Sequence, residues 1–393
     1  MIRTVVTGLG VTSPFGAGTK AFWTGVAGGT CAIRPITLLD TDGFRCRIAA
    51  EVPADALAGS PRRSRADRLA LAAAREAIAD SGLARADCRD AGLVIGAVGG
   101  GMFEAEKWYW ARTRGGAPVD AASSLRAVLP FSHAETLGKA LSLGGPRETV
   151  VAACSSGAVS LALARDLIED GLATVVVAGG ADSVTRICYM GFNALRLLDP
   201  EPCRPFDRER RGMSIGEGAA FLVLEDAEHA RARGAYVYAE LSGYGITTDA
   251  FHPTSPHPEG DGMVRAMRGA LSDAGIGPAE VGYVNAHGTG TPQNDRVEAR
   301  AIARVFETGE PLVSATKSMI GHTMAAAGSL EAVATILAIV EGVVPPTANL
   351  CAADPDVTFD CVPGTARTAA IDCAISNSFG FGGQNVTLVF RRS

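Results

Sequence analysis

The chain has 393 residues, enough for one large or two fused domains with a sizeable core, and it is 47% hydrophobic with 47 glycines, which marks a globular protein rich in tight turns. A net charge of −6 argues against nonspecific nucleic-acid binding, and no apolar run reaches the roughly 18–20 residues of a membrane helix without a polar or charged interruption. Nine cysteines, an odd number with no Cys-x-x-Cys pair, point to reduced thiols and a cytoplasmic setting rather than a disulfide framework.

Residues 4–6 read as a first strand, with no basic leader, apolar stretch and cleavage site before it. A helix is expected over 67–80, stopping at Ser81-Gly82, and then a strand over 92–96. Residues 149–153 form a β-branched and small apolar run that reads as a buried strand. Residues 155–170 carry no breaker after Gly157 and read as a helix. Strands follow at 173–179 and 219–224, and the charged stretch 225–236 is the best seam, dividing the chain into halves 1–234 and 235–393. The second half should hold a strand over 236–244, a helix over 262–274, a strand over 281–285 and a helix over 295–306. A strand over 312–314, a helix over 328–341 and closing strands over 372–377 and 385–390 complete it. Such alternation implies an α/β architecture of sheets covered by helices.

Cys154 falls on the turn between the 149–153 strand and the following helix. Free N–H groups at a helix start favour an anion, which lowers a thiol's pKa and aims backbone donors at a nearby oxyanion. A thiolate there suits acyl transfer; a small buried cysteine packed under a helix is the plain alternative. Three further segments bear on the choice. Val284-Asn-Ala-His287-Gly-Thr289-Gly-Thr291 ends a strand at a histidine beside a tight loop, where α/β enzymes place their chemistry. Lys317-Ser-Met-Ile-Gly-His322 sets a lysine and a histidine in an apolar stretch, so the lysine needs a carboxylate, with Glu331 and Glu298 as candidates, or must snorkel to solvent. Ser376-Asn-Ser-Phe-Gly-Phe381-Gly-Gly alternates glycine and phenylalanine, letting backbone approach a ligand while rings line the way.

Other chemistries fit less well. A zinc site from Cys154, His287 and His322 lacks a short-spaced ligand pair. A Cys-His hydrolase leaves the second histidine and the lysine without a task. Gly8-Leu-Gly10-Val-Thr-Ser13 is a weak dinucleotide fingerprint, with serine in place of the third glycine and a turn where a helix should begin.

With these segments in view, the chain resembles the β-ketoacyl-acyl-carrier-protein synthases, in their elongating, type II-like ketosynthase branch of the thiolase superfamily. The resemblance runs from Thr4-Val-Val-Thr-Gly-Leu-Gly-Val-Thr-Ser-Pro through Arg204-Pro-Phe-Asp207, Gly216-Glu-Gly-Ala219, Asn285-Ala-His-Gly-Thr289 and Lys317-Ser-Met-Ile-Gly-His322 to Phe379-Gly-Phe-Gly-Gly. It implies a thiolase fold, two similar βαβαβαββ halves in a five-layered α-β-α-β-α sandwich, and a homodimer or a heterodimer with a ketosynthase-like subunit. The implied reaction is decarboxylative condensation of an acyl group on Cys154 with malonyl-acyl carrier protein, without a metal or resident cofactor, the phosphopantetheine arriving on the carrier. His287 and His322 would serve decarboxylation, and Lys317 would hold the polar network with Glu331 and Glu298. Phe381 would be the gate, its N–H forming the oxyanion hole with that of Cys154, and Thr289 and Thr291 would meet the phosphopantetheine arm.

The resemblance also places Phe103 at the gate of the acyl pocket and the cluster Arg62, Arg63 and Arg65 at the docking site of the acidic carrier. A non-catalytic chain-length-factor-like subunit, the alternative from another class, lacks the nucleophilic cysteine. A thiolase carries a second cysteine in the last glycine-rich segment, where this chain has none.

Overall fold

The computed structural model describes residues 2–60, 63–116, 121–307 and 309–393. Besides short two- and three-residue strands, the described residues of the first half build five longer ones: β1 (Thr4–Ser13), β2 (Gly92–Gly96), β3 (Arg147–Val150), β4 (Val175–Asp182) and β5 (Gly218–Asp226). They lie in the order β3-β2-β4-β5-β1, with β2 parallel to β3 and β4, and β5 antiparallel to β4 and β1. The second half adds β6 (Ala239–Thr248), β7 (Tyr283–Asn285), β8 (Leu312–Ser314), β9 (Cys373–Gly380) and β10 (Gln384–Arg391). Their order, β8-β7-β9-β10-β6, and their directions repeat the first half strand for strand. A short antiparallel contact between β1 and β6, at Val5 with Glu240 and Val6 with Ala239, joins the two sheets.

Helix α1 (Arg65–Ser81) covers β1, β5 and β4 on the outside of the first sheet. Outside the second sheet, α6 (Asp261–Asp273) covers β6 and β10, with α7 (Pro292–Val305) beside it. Between the sheets lie α4 (Ser156–Glu169) and α8 (Ala327–Glu341), packed on each other. Helix α4 rests on β2, β4 and β10, and α8 on β5 and β9. That gives the five layers the resemblance implied. Residues Met324–Glu341 are long and apolar enough to cross a membrane, with mean hydropathy 1.6, but 89% of the stretch is buried between the sheets, so its apolarity makes a core.

Two glycines of β1 set the outer packing. A Cβ on Gly10 would overlap the carbonyl oxygen of Ala73, and one on Gly8 that of Ala77, so the glycines let α1 lie close on the strand. The glycines of the weak dinucleotide fingerprint thus serve helix-on-strand packing. Ser64 caps the start of α1, two residues before the expected start, by accepting from Asp67 N–H, and Gly82 ends it in a left-handed turn, as the Ser81-Gly82 stop required. Helices α2 (Met102–Arg114), α3 (Phe131–Leu141) and α5 (Arg186–Ala194) were not expected. Helix α2 buries only Phe103 and Ala105 among its thirteen residues, so it offers no regular apolar stripe to read.

Candidate active site

The strand-to-helix turn after β3 is tight. Ala153 takes φ 46°, a left-handed conformation uncommon without glycine. The serine after Cys154 and the next one hold this turn. Ser155 N–H donates to Ala152 O at 3.1 Å. Ser156 Oγ donates to Ala153 O at 2.7 Å and accepts from Ala152 N–H at 2.8 Å. Cys154 thus sits at the start of α4, opening onto a cavity of about 220 Å³. The β9–β10 hairpin closes over it: a Cβ on Gly380 would lie 3.3 Å from Cys154 N, and the N–H groups of Phe381 and of Cys154 itself act on the sulfur.

The sequence-based expectation of a lowered thiol pKa is reversed. Burial pushes the Cys154 thiol up to about 11, outweighing the Phe381 N–H and the Lys317 charge that pull it down. At rest the nucleophile is a thiol.

The second half supplies both histidines: His287 follows the end of β7, and His322 lies past the short helix Lys317–Ile320 that follows the adjacent parallel strand β8. Their rings stand 5.4 Å apart and nearly perpendicular, both lining the cavity of Cys154. Lys317 Nζ has three buried acceptors: His287 Nδ1 at 3.1 Å, His287 O at 2.7 Å and a carboxylate oxygen of Glu331. Three donors meet three acceptors, so Nδ1 of His287 accepts and the ring proton sits on Nε2. Nδ1 of His322 accepts from Met324 N–H at 3.3 Å, which fixes the same tautomer. Burial, reinforced by the Lys317 charge, holds both imidazoles well below their usual pKa. Both are neutral Nε2–H donors.

Glu331 completes the lysine pair, and burial lifts it to about 7. Glu298 departs from its expected place in the lysine network. Its oxygens accept from His287 N–H at 2.7 Å and Gly288 N–H at 2.8 Å, so it fixes the backbone of the histidine loop. Its carboxyl is also lifted, to about 7, chiefly by burial. Thr289 and Thr291 line the cavity with their hydroxyl oxygens 2.9 Å apart. Asp295 was missed in the sequence: it accepts from Thr289, Gly290 and Phe206 N–H, clamping the same loop. Its signal was the i, i+3 spacing to Glu298, which puts two carboxylates on one face of the first turns of α7. Phe192, Met213, Met263, Phe379 and Phe381 form the apolar wall, with the Phe192 and Phe381 rings 5.9 Å apart.

This geometry can take up an acyl group on sulfur, hold an oxyanion with two backbone N–H groups and stabilise a second anion with two imidazole N–H groups. Two family models cover the chain accordingly: the β-ketoacyl synthase N-terminal domain over residues 2–230 and its C-terminal domain over 238–351. The chain belongs to the β-ketoacyl synthase family. It is 40% identical over 409 residues to 3-oxoacyl-[acyl-carrier-protein] synthase 2 of Synechocystis sp., covering 99% of this chain and 98% of the relative. Among solved structures it is similar to the ishigamide ketosynthase/chain length factor (TM-score 0.93, 37% identity, 100% of this chain and 99% of that one). It is also similar to AntDE:AntF, a type II polyketide synthase acyl-carrier protein in complex with its ketosynthase bound to the hexaketide (TM-score 0.92, 31% identity, 100% and 99% covered). These neighbours carry the thiolase fold that the repeated sheet order displays.

Two expectations for this β-ketoacyl synthase are corrected by its structure. Arg65 is not a docking residue: it is buried and bidentate to buried Glu217, with Nε at 2.9 Å, and it donates to Val52 O. Arg63 is half-buried, and Arg62 lies outside the described residues. Phe103 does not line the catalytic cavity; it faces a separate recess of about 230 Å³ with Leu38 and Trp110, under the Lys107 ammonium at 4.1 Å. An arginine that flanks the cavity was overlooked. Arg196 lies between the lining residues Leu195 and Leu197, is exposed, and has no acidic partner among the described residues.

Proposed function

We propose that the protein elongates a carrier-bound acyl chain, in fatty acid or polyketide synthesis, by decarboxylative Claisen condensation. The observation that carries this reading is the single cavity shared by Cys154, His287, His322 and Phe381. Cys154 sulfur attacks the acyl thioester, its proton leaving with the carrier thiol, and the oxyanion rests between the N–H groups of Cys154 and Phe381. A malonyl thioester then enters along the phosphopantetheine path, past the hydroxyls of Thr289 and Thr291. Its carboxylate leaves as CO2, and the bonding electrons pass into a thioester enolate. The enolate oxygen accepts from Nε2–H of His287 and of His322. The enolate carbon attacks the acyl-cysteine carbonyl, and collapse of the tetrahedral anion expels Cys154 thiolate and leaves a β-ketoacyl carrier. Neither histidine changes protonation, which agrees with the two fixed tautomers.

Arg196 is an exposed basic group beside the cavity, placed to meet an acidic carrier. β3 is the open edge of the first sheet, and beside it Val98, Val151 and Phe131 are 44%, 57% and 58% exposed. Such an edge suits a second ketosynthase-like subunit, identical or homologous. A reduced active-site thiol and carrier-borne substrates fit a cytoplasmic reaction. The test is mass spectrometry of carriers after incubation with malonyl carrier and acyl primers, with the chain alone and with its partner subunit. A β-ketoacyl carrier two carbons longer than the primer is expected. No CO2 release and no acyl group on Cys154 would defeat the reading.

A further inference from the structure

Asp182 ends β4 with no exposed surface, and neither the sequence motifs nor the reaction above assigns it a task. Its Oδ2 accepts from Gly99 N–H at 3.1 Å and Ala325 N–H at 3.2 Å, and its Oδ1 from Gly100 N–H at 3.0 Å. These donors belong to two different halves of the chain. Gly99 and Gly100 form the turn after β2, while Ala325 follows Met324, whose N–H donates to His322 Nδ1. Met324 itself is held at φ 52°. Packing leaves the anchor no slack. A Cβ on Gly99 would lie 2.7 Å from Asp182 Oδ1. A Cβ on Gly180, two residues before Asp182, would overlap the Ala325 carbonyl oxygen and lie 3.2 Å from Gly157 Cα in the first turn of α4, the helix that follows Cys154. His133, bonded to Asp67 at 2.7 Å, backs the Gly100 turn from the other side.

Resting on the condensation reading, we propose that Asp182 is a positioning residue: one carboxylate ties the Gly99-Gly100 turn to the Met324-Ala325 segment and thereby fixes the tautomer and aim of His322. If Ala325 shifts, Met324 N–H leaves Nδ1 of His322, the ring proton is free to change nitrogen, and one of the two enolate donors is lost. The cysteine on the same turn system does not depend on that donor for acylation. The charged or titratable groups around the sulfur are Lys317, His287, His322 and Asp182, and those around Asp182 are His133, Cys188 and Cys154. Asp182 opposes ionisation of the thiol.

Two variants test this. Asp182→Asn turns an amide toward backbone donors and removes the charge. Gly99→Ala presses a methyl on the carboxylate and keeps it. Malonyl-carrier decarboxylation, read as CO2 release, should fall about 100-fold in Asp182→Asn, the scale of a small misplacement at a reacting centre, and about 10-fold in Gly99→Ala. Iodoacetamide alkylation of Cys154 at pH 8 should run several-fold faster in Asp182→Asn and stay at the wild-type rate in Gly99→Ala. Decarboxylation at the wild-type rate in either variant overturns the proposal. So does equal slowing of alkylation and decarboxylation, which marks general loosening of the fold. A wild-type protein that fails to decarboxylate malonyl carrier condemns the condensation reading instead, so the two failures are separable.

Discussion

The two halves share one strand order and one set of strand directions, yet they carry opposite parts of the chemistry. After its third strand, β3, the first half places a thiol at the start of α4; after its third strand, β8, the second half places Lys317 and His322 before α8. After its second strand the first half has a glycine turn held shut by Asp182, and the second half has His287, opened toward the cavity by Glu298. The fourth strands end in Asp182 on one side and in the Phe379-Gly380-Phe381 hairpin on the other. Equivalent frame positions thus carry a nucleophile in one half and neutral hydrogen-bond donors in the other. The frame supplies places near a shared cavity, and the side chains at those places decide the chemistry.

The strongest way to break the comparison is to remove its unique member. Cys154→Ala should lower β-ketoacyl carrier formation by at least about 1000-fold while leaving CO2 release measurable, because only the first half's contribution is gone. Carrier product assay and CO2 release, run side by side, check it. The mirror experiment is His287→Ala or His322→Ala. Each removes one donor to a developing oxyanion and should slow decarboxylation by roughly 100- to 1000-fold, with Cys154 still acylated as read by peptide mass. If both variants decarboxylate normally, the second half does not perform its assigned part.

A smaller effect concerns stability. Lys317→Met leaves Glu331 buried without its cation and should cost about 3–5 kcal/mol, while Lys317→Met with Glu331→Met should recover much of that in denaturant unfolding. Smaller still, Gly10→Ala sets a methyl against the Ala73 carbonyl and should cost about 1–3 kcal/mol, a defect of the first half's outer layer alone. The pH dependence of Cys154 sharpens the contrast between a protonated nucleophile and neutral donors. With the thiol lifted to about 11, the thiolate fraction rises as pH rises. Alkylation should therefore quicken about tenfold per pH unit between 7 and 9. A plateau below pH 8 would mean that the helix start and the Phe381 N–H outweigh burial.

Much of this was legible in the chain. Cys154 after a β-branched run, His287 at a strand end and Lys317 in an apolar stretch are local signals; the first two landed on the cavity, and Lys317 landed behind it, bonded to His287. The Gly82 stop of α1 was readable because a helix end depends on near neighbours. What failed depends on distant residues. Arg65 looked like part of a surface cluster because Glu217, its partner, lies far along the sequence. The choice between Glu331 and Glu298 as the lysine's acceptor needed the packing of α8 against the histidine loop, which no spacing encodes. The thiol's pKa went the wrong way because a helix start is visible in sequence and the depth at which it is set is not. Asp182 gave no signal at all, since its three partners are backbone groups from two remote turns.

Helix α8 has a consequence for how the protein comes into being. The ribosome makes this apolar segment before β9, so although α4 and β5 can already pack on it, the face that will rest on β9 stays open until that strand emerges. Shielding of that one face during the interval is the demand that the order of synthesis makes.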